Sequence, residues 1–312
     1  MGKGISKVKL IWQNGELVPL EKATVNVLTP AVLFGANVFE GLAAYWNAED
    51  QELYGFRFID HFRRLFDSLK IMRMSVHYTT EDFLSFSKET IRANKFKEDI
   101  HLLQVVYVDD IGGLFKQKHL GMYIAAQPHP TLFDVTKGIH CCTSTWTRIS
   151  DTCSPPRVKA GPNYQNGRLA SLEADAKGFD WAVILTSQGK VSEAPGACLF
   201  MVRKGLVTTP PITSGILESI TRSTLIDLFS KELGMPVYER DIDRTELYVA
   251  EEVFLCGSGA EVTPVVSLDR IDIGDGKVGP VTQKIQRLYF DVVRGIHKGY
   301  SEWRTPIYHV NR

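Results

Sequence analysis

Strand-like and helix-like stretches are mixed along the whole of this chain without the regular strand-helix-strand rhythm of a doubly wound parallel sheet. That irregularity restricts the fold to a mixed α/β (α+β) architecture. Residues 7 to 13 alternate apolar and polar side chains before Asn14-Gly15, a pair suited to the positive backbone dihedrals of a tight turn, so the chain is expected to open on a β-hairpin. Helical spacing of Phe62, Leu65, Phe66, Leu69 and Ile71 predicts a helix over 59 to 72, and Phe83, Phe86 and Ile91 predict another over 79 to 94. The Val-, Tyr- and Ile-rich stretches 101 to 108 and 120 to 126 read as strands returning to the first sheet.

Residues 129 to 137, HPTLFDVTK, show no periodicity and contain Pro130. The chain is therefore expected to form an N-terminal α/β domain (1–130), an interdomain linker (131–137) and a C-terminal domain (138–312). In the second part a strand is predicted near 139 to 146 and a helical segment from about 166 to 177, with hairpin turns at Gln188-Gly189 and Lys204-Gly205. A helix near 221 to 233, a short helix near 244 to 249 and a strand at 253 to 256 complete the pattern.

With 312 residues, 44% of them hydrophobic, the chain can bury cores for two domains of ordinary size. Its 36 Lys and Arg balance 36 Asp and Glu, so no net positive field gathers nucleic acid or an anionic membrane surface, and small-molecule chemistry is the default. No segment approaches an uncharged membrane span. The five cysteines are odd in number and lack C-x-x-C spacing, which argues against a disulfide framework and against a zinc or other metal site, and fits a reducing cytoplasm.

One lysine stands out by its surroundings. Lys159 lies in KAGPNY (159–164), where small and rigid residues fix the backbone as it would be fixed beside a bulky planar ligand. A lone lysine is usually a solvated surface charge, so the wider order of motifs has to decide. KAGPNY is followed by a helix with Leu169 and Glu173, then GFDWAVIL (178–185) and GKVSEAPGACLFMV (189–202), an order that resembles the fold type IV aminotransferases. TPPITSGILESITR (209–222), YVAEEVFLCGSGAEVTPV (248–265) and GPVT (279–282) continue in the order of the branched-chain aminotransferases, and FGANVFEG (34–41) and HFRRL (61–65) match the same family.

The resemblance implies a two-domain, D-amino acid aminotransferase-like fold, a homodimer, and pyridoxal 5'-phosphate as cofactor. Lys159 resembles the catalytic Schiff-base lysine, which also moves the proton between substrate and cofactor. Glu193 resembles the carboxylate facing the pyridine nitrogen, and Tyr164 the tyrosine near the ring oxygen. Arg64 is similar to the phosphate-binding arginine, while Ser219, Ile220 and Thr221 would offer phosphate a helix N-terminus, with Ser219 as a plain N-cap the competing reading. Gly257 leaves the backbone open to ligand, and Ser258 stands where the family usually has a phosphate-touching threonine. The substrate pocket is expected to include Phe34, Phe39, Gly41, Ala43, Leu103, Leu132, Gly259 and Ala260.

Several of these depart from the branched-chain pattern. Phe34 stands for a tyrosine, Ala43 and Leu103 for arginines, and Leu132 aligns with another tyrosine, with the register at Leu103 taken from pairing IGG (111–113) with the following glycine turn. An apolar pocket holds a carboxylate poorly without donors; His101, Gln104, Arg157 and Gln165 are the candidate replacements, and the resemblance implies the backbone N–H groups of the 257–260 turn as a further carboxylate site. The reading is a transaminase moving an amino group between a branched-chain-like L-amino acid and a 2-oxo acid. A D-amino acid or (R)-amine transaminase and an aminodeoxychorismate lyase-like enzyme share the fold and the lysine, and a cofactor-less binding protein is the non-enzyme alternative.

Overall fold

The computed structural model describes residues 7–111, 113, 115, 118–129 and 132–309. Met1 to Ser6, Gly112 of the IGG turn, and Pro130 and Thr131 at the start of the expected linker lie outside the described residues. The chain divides into two compact units: Met1–Pro130 with Val158–Pro162 and Asp291–Arg312, and Thr131–Arg157 with Asn163–Phe290. The division therefore does not follow a single break in the sequence, and the short segment carrying Lys159 belongs to the first unit.

The first unit opens on the expected hairpin, β1 (Leu10–Gln13) and β2 (Glu16–Pro19), with Asn14 and Gly15 both at positive φ. Then come α1 (Pro30–Phe34), β3 (Asn37–Asn47), β4 (Glu52–Phe56), α2 (Phe58–Ile71), α3 (Thr80–Asn94), β5 (Ile100–Val108) and β6 (Leu120–Pro128). Among the described residues these strands and the C-terminal strand Arg304–Pro306 make an antiparallel sheet in the order C-terminal strand, β4, β3, β5, β6, β1, β2. One face carries Val38, Leu42, Ala44, Leu102, Val106, Met122 and Ile124 against Phe58, Phe62, Leu65, Phe83 and Ile91 of α2 and α3. Since successive strand residues point to opposite faces, Phe39, Gly41 and Ala43 of β3 and His101, Leu103 and Val105 of β5 share the other face.

The strand β3 is longer than its neighbour. β4 pairs only with Ala44 to Asn47, and the free edge beyond is taken by the Lys159 segment: Ala160 bridges Val38 in antiparallel register, and the Phe39 N–H donates to the Lys159 carbonyl at 2.8 Å. Paired residues share a face, so Val38 and Ala160 enter the core while Phe39 and Lys159 turn to the face away from the helices. The C-terminal residues join this unit because the buried carboxylate of Glu52 accepts the backbone N–H groups of Ile307, Tyr308 and His309.

The second unit contains β7 (Ile139–Thr147), α4 (Gly161–Ala176) from Asn163 onward, β8 (Trp181–Leu185), β9 (Cys198–Arg203), β10 (Leu206–Thr209), α5 (Ile220–Lys231), β11 (Val237–Glu239) and α6 (Arg244–Tyr248). It continues with β12 (Glu252–Gly257), β13 (Glu261–Leu268), β14 (Ile271–Asp272) and α7 (Pro280–Val293) as far as Phe290. Its sheet runs β11-β10-β9-β12-β13-β7-β8, with β14 on β13, and mixes antiparallel pairs with the parallel pairs β10·β11, β13·β7 and β7·β8. The helix α4 begins at Gly161, five residues before the point suggested by periodicity. Pro162 falls in its first turn, where a missing N–H costs no intrahelical bond, so the proline-rich stretch delays the helix less than its composition suggests. Gly167 of this helix lies so close to the Pro195 carbonyl that a Cβ there would come within 2.5 Å of the oxygen. No helix among the described residues is long and apolar enough to cross a membrane.

Candidate active site

Lys159 is placed by the sheet edge and by α2. The buried stripe of α2 is Phe58, His61, Phe62, Leu65, Ser68 and Leu69, the spacing of one helix face, and its two polar members both serve neighbouring segments. The Ser68 hydroxyl accepts the Lys159 N–H at 3.2 Å, and the Lys159 ammonium lies 4.8 Å from the centre of the Phe39 ring. A half-buried amine over an aromatic face keeps its backbone fixed from both sides while its end remains on the sheet's helix-free face.

The other polar member, His61, joins Arg64 around a carboxylate the sequence reading assigned no role. Glu40 is fully buried; Arg64 donates to it from Nε and Nη2, both at 2.7 Å, and His61 Nδ1 donates at 2.7 Å. Burial alone would raise the Glu40 carboxyl, but the Arg64 charge and the bonds from His61 and Arg64 outweigh it and hold it at about 2. Burial pushes the His61 imidazole below its usual value, against the pull of Glu40. The only visible signal in the sequence was an acid within an otherwise apolar strand, NVFEGLAAYW.

The linkage has one sign for both groups. Each folded value lies below the unfolded one, so the stability they contribute is complete above about pH 6.5, declines first as His61 protonates in the unfolded chain, and falls further between about 4.5 and 2 as Glu40 does. Glu40→Gln leaves Arg64 without its buried anion and is expected to cost about 3–5 kcal/mol, flattening the acid limb of a pH series of urea melts. An acid limb as steep as that of the unchanged protein would remove Glu40 from this role.

Of the expected pocket residues, Phe39, Gly41, Ala43 and Leu103 share the face of Lys159, and Gly41 pairs directly with Leu103. The space above Gly41 is filled by a side chain of the protein: the His101 Nε2 lies 2.8 Å from where a Cβ would stand. Gln104 is on the opposite face, donating to Ser87 and Phe83 of α3, so strand alternation removes it from the candidate donors of this pocket. Phe34, at the end of α1, is 56% exposed. Arg157 is half exposed and pairs with Glu218 at 2.8 Å, and Gln165 is exposed.

The second unit gathers the rest. Glu193 is buried, with Arg148 Nη2 at 2.6 Å from Oε1, the Leu217 N–H donating to Oε2 at 3.1 Å, and the Cys198 thiol 3.7 Å away. Arg148 is itself tied to the Gly215 carbonyl at 2.9 Å; no local sequence signal marked it, because its partner is 45 positions away. Two residues beyond Leu217, Ser219 is the N-cap of α5, its hydroxyl accepting the Arg222 N–H at 3.2 Å, and the first-turn N–H groups of Ile220 and Thr221 fall where a helix leaves donors without intrahelical partners. Cys198 pairs across strands with Cys256, which brings Gly257 and Ser258 to the same end of the sheet. A Cβ at Gly257 would sit 3.2 Å from the Gly196 carbonyl. Gly259 and Ala260 form the turn to β13, with the exposed Leu132 side chain 3.7 Å from the position of a Gly259 Cβ. Tyr164 lies half-buried in the first turns of α4.

The first unit thus offers an amine on a sheet face, and the second a buried carboxylate braced by a guanidinium and a helix N-terminus. The class IV amino-transferase family model matches residues 37–268, and the chain belongs to that family. It is 38% identical over 302 residues to a probable branched-chain-amino-acid aminotransferase of Aquifex aeolicus, covering 94% of this chain and 95% of the relative. Branched-chain aminotransferase structures from Thermoproteus uzoniensis, with norvaline, and from Thermobaculum terrenum, in the PLP form, each superpose with a TM-score of 0.91 at 40% identity over 96% of this chain and 99% of theirs. The fold is that of these enzymes, fold type IV.

Proposed function

We propose that this protein is a pyridoxal-phosphate-dependent branched-chain amino acid aminotransferase, active as a cytoplasmic homodimer. The observation that carries the reading is Lys159 on the same sheet face as Phe39, Gly41, Ala43 and Leu103, in a chain whose relatives are named for this reaction. The residues present fit the cofactor. Lys159 Nζ would hold it, the Glu193 carboxylate would face its ring nitrogen with Arg148 fixing the carboxylate's orientation, and Tyr164 would serve the ring oxygen. Arg64, Ser219, Ile220, Thr221, Gly257 and Ser258 would serve its phosphate, the helix end by its dipole and Arg64 as a fork aligned by Glu40.

When bound, pyridoxal phosphate supplies a ring that accepts the electron pair released as the substrate carbon loses its proton. Lys159 Nζ takes that proton and returns it at the neighbouring position. The apolar side chains of Phe39, Ala43 and Leu103 exclude water from the substrate's branched side chain. The exposed apolar run Val27, Leu28, Val32, Leu33 and Phe34 supports a second copy packing on the first unit. Five free cysteines are compatible with a reducing compartment.

The test is a screen of amino donors on the cofactor-loaded protein: both leucine enantiomers, L-isoleucine, L-valine, glutamate and a chiral aryl-alkyl amine. L-branched-chain donors are expected to bleach the visible band, and a 2-oxo acid to restore it. Bleaching by the amine alone, or pyruvate released with no acceptor present, would replace this reading with amine transamination or a lyase.

A further inference from the structure

At the β11 edge of the second unit's sheet, β9, β10 and β11 turn one set of side chains to a common face. Arg203 pairs with Leu206 and Thr208 with Tyr238, and alternation carried one residue past β11 adds Arg240 to the same face. Together with Lys204 of the β9–β10 turn, these residues line a cavity of about 320 Å³. Thr209 and Glu239 point the other way, where Arg222 of α5 bonds both. None of the six lining residues has a part in the proposed amino transfer.

The cavity is lined by three cations and no carboxylate. Two of the cations share one carboxylate from outside the lining: Glu246 of α6 accepts from Arg240 Nη1 and Nη2 at 2.9 and 2.8 Å and from Arg203 Nη1 at 3.1 Å. That brace fixes both guanidinium groups, while Arg203 Nε and Nη2 make no hydrogen bond among the described residues. The third cation, Lys204, sits at positive φ in a turn that Glu251 holds by accepting the N–H groups of Lys204 and Gly205. Its ammonium touches no carboxylate among the described residues. Thr208 is only 3% exposed, yet its hydroxyl makes no hydrogen bond among the described residues, a cost that a bound acceptor removes. Leu206 and Tyr238 flank it, 51% and 47% exposed.

Three cations against one contacting carboxylate leave two positive charges, the match for a phosphate monoester with about −1.5 to −2 at neutral pH. Guanidinium forks and a buried hydroxyl suit its oxygens, and an exposed aromatic ring beside them suits a planar group attached to it. We propose that this cavity binds a phosphate monoester carried on a planar aromatic group, with Arg203, Lys204 and Thr208 taking the phosphate and Tyr238 and Leu206 the ring. The site stands independently of the aminotransferase reading.

The test is calorimetric titration of the cofactor-loaded protein with adenosine 5'-monophosphate, with adenosine, and with pyridoxine 5'-phosphate, which lacks the aldehyde needed to bond Lys159. At least one of the two phosphates is expected to bind, about tenfold or more tightly than adenosine, and the tighter one tells a nucleotide ligand from a relative of the cofactor. Lys204→Met is expected to weaken that binding about tenfold, Thr208→Val about fivefold, and Thr208→Ser to keep it. Lys204 is exposed on a turn, so its substitution leaves the fold intact, and melting temperature and the visible band check all three variants. Absence of binding by both phosphates at millimolar concentration, adenosine bound as tightly as its monophosphate, or affinities unchanged in Lys204→Met and Thr208→Val would overturn the proposal.

Discussion

Lys159→Ala is expected to yield a colourless protein that retains its fold and loses amino transfer by roughly 10³–10⁴-fold or more, since the proposed function has one side chain both hold the cofactor and move the proton. The fold should survive because what anchors this segment is its backbone: the bonds from the Phe39 N–H and to the Ser68 hydroxyl, and Ala160 packed opposite Val38, are all kept by alanine. What is lost is an ammonium over the Phe39 ring, worth about 0.5–1 kcal/mol at a partly exposed site. Absorbance after exhaustive dialysis against buffer, thermal melting of the cofactor-free forms, and turnover with L-leucine together read the three parts of the prediction. A dialysed variant that stayed yellow would assign the cofactor to another lysine, and a melting point lowered by many degrees would show that Lys159 is structural.

Glu193→Gln is expected to reduce kcat by roughly 10²–10³-fold, with a smaller effect on KM, because the carboxylate acts on charge that develops during the reaction rather than on substrate binding. The same substitution leaves Arg148 buried beside a neutral amide, which is expected to cost about 3–5 kcal/mol of stability. These two consequences need separating. Arg148→Met removes the brace while leaving the Glu193 carboxylate with the Leu217 N–H, so a comparable loss of stability should come with a much smaller loss of kcat. If Arg148→Met matched Glu193→Gln in kcat, the effect would be structural disturbance of the pocket, and the assignment of Glu193 to the ring nitrogen would fall. If Glu193→Gln kept kcat within about threefold, the same assignment would fall directly.

How far the site was legible from sequence depended on how local its causes were. The Lys159 motif is local: glycine, proline and alanine around one lysine announce a fixed backbone, and the order of the later motifs locates Glu193, Ser219 and Gly257. The helix start was legible for the same reason, since a serine before an apolar-periodic stretch marks an N-cap, and Ser219 does cap α5. The start of α4 was misplaced because proline in a first turn looks, from composition alone, like proline in a loop.

The sequence by itself determined the types of the elements it marked and the mixed α/β class, because periodicity and turn chemistry act over a few residues, and the order of its motifs singled out Lys159. Only the tertiary structure decided which groups face one another. Gln104 and His101 are equally plausible donors on paper, and strand alternation sends one into the helix-packed core and the other over Gly41 beside Lys159. Glu40 gains its meaning from His61 and Arg64, over twenty residues away on α2, and Glu193 from Arg148 on the far side of the lysine motif. A buried charge is tolerable only with its counter-charge in contact, and that contact is a property of packing, which no local stretch of sequence encodes.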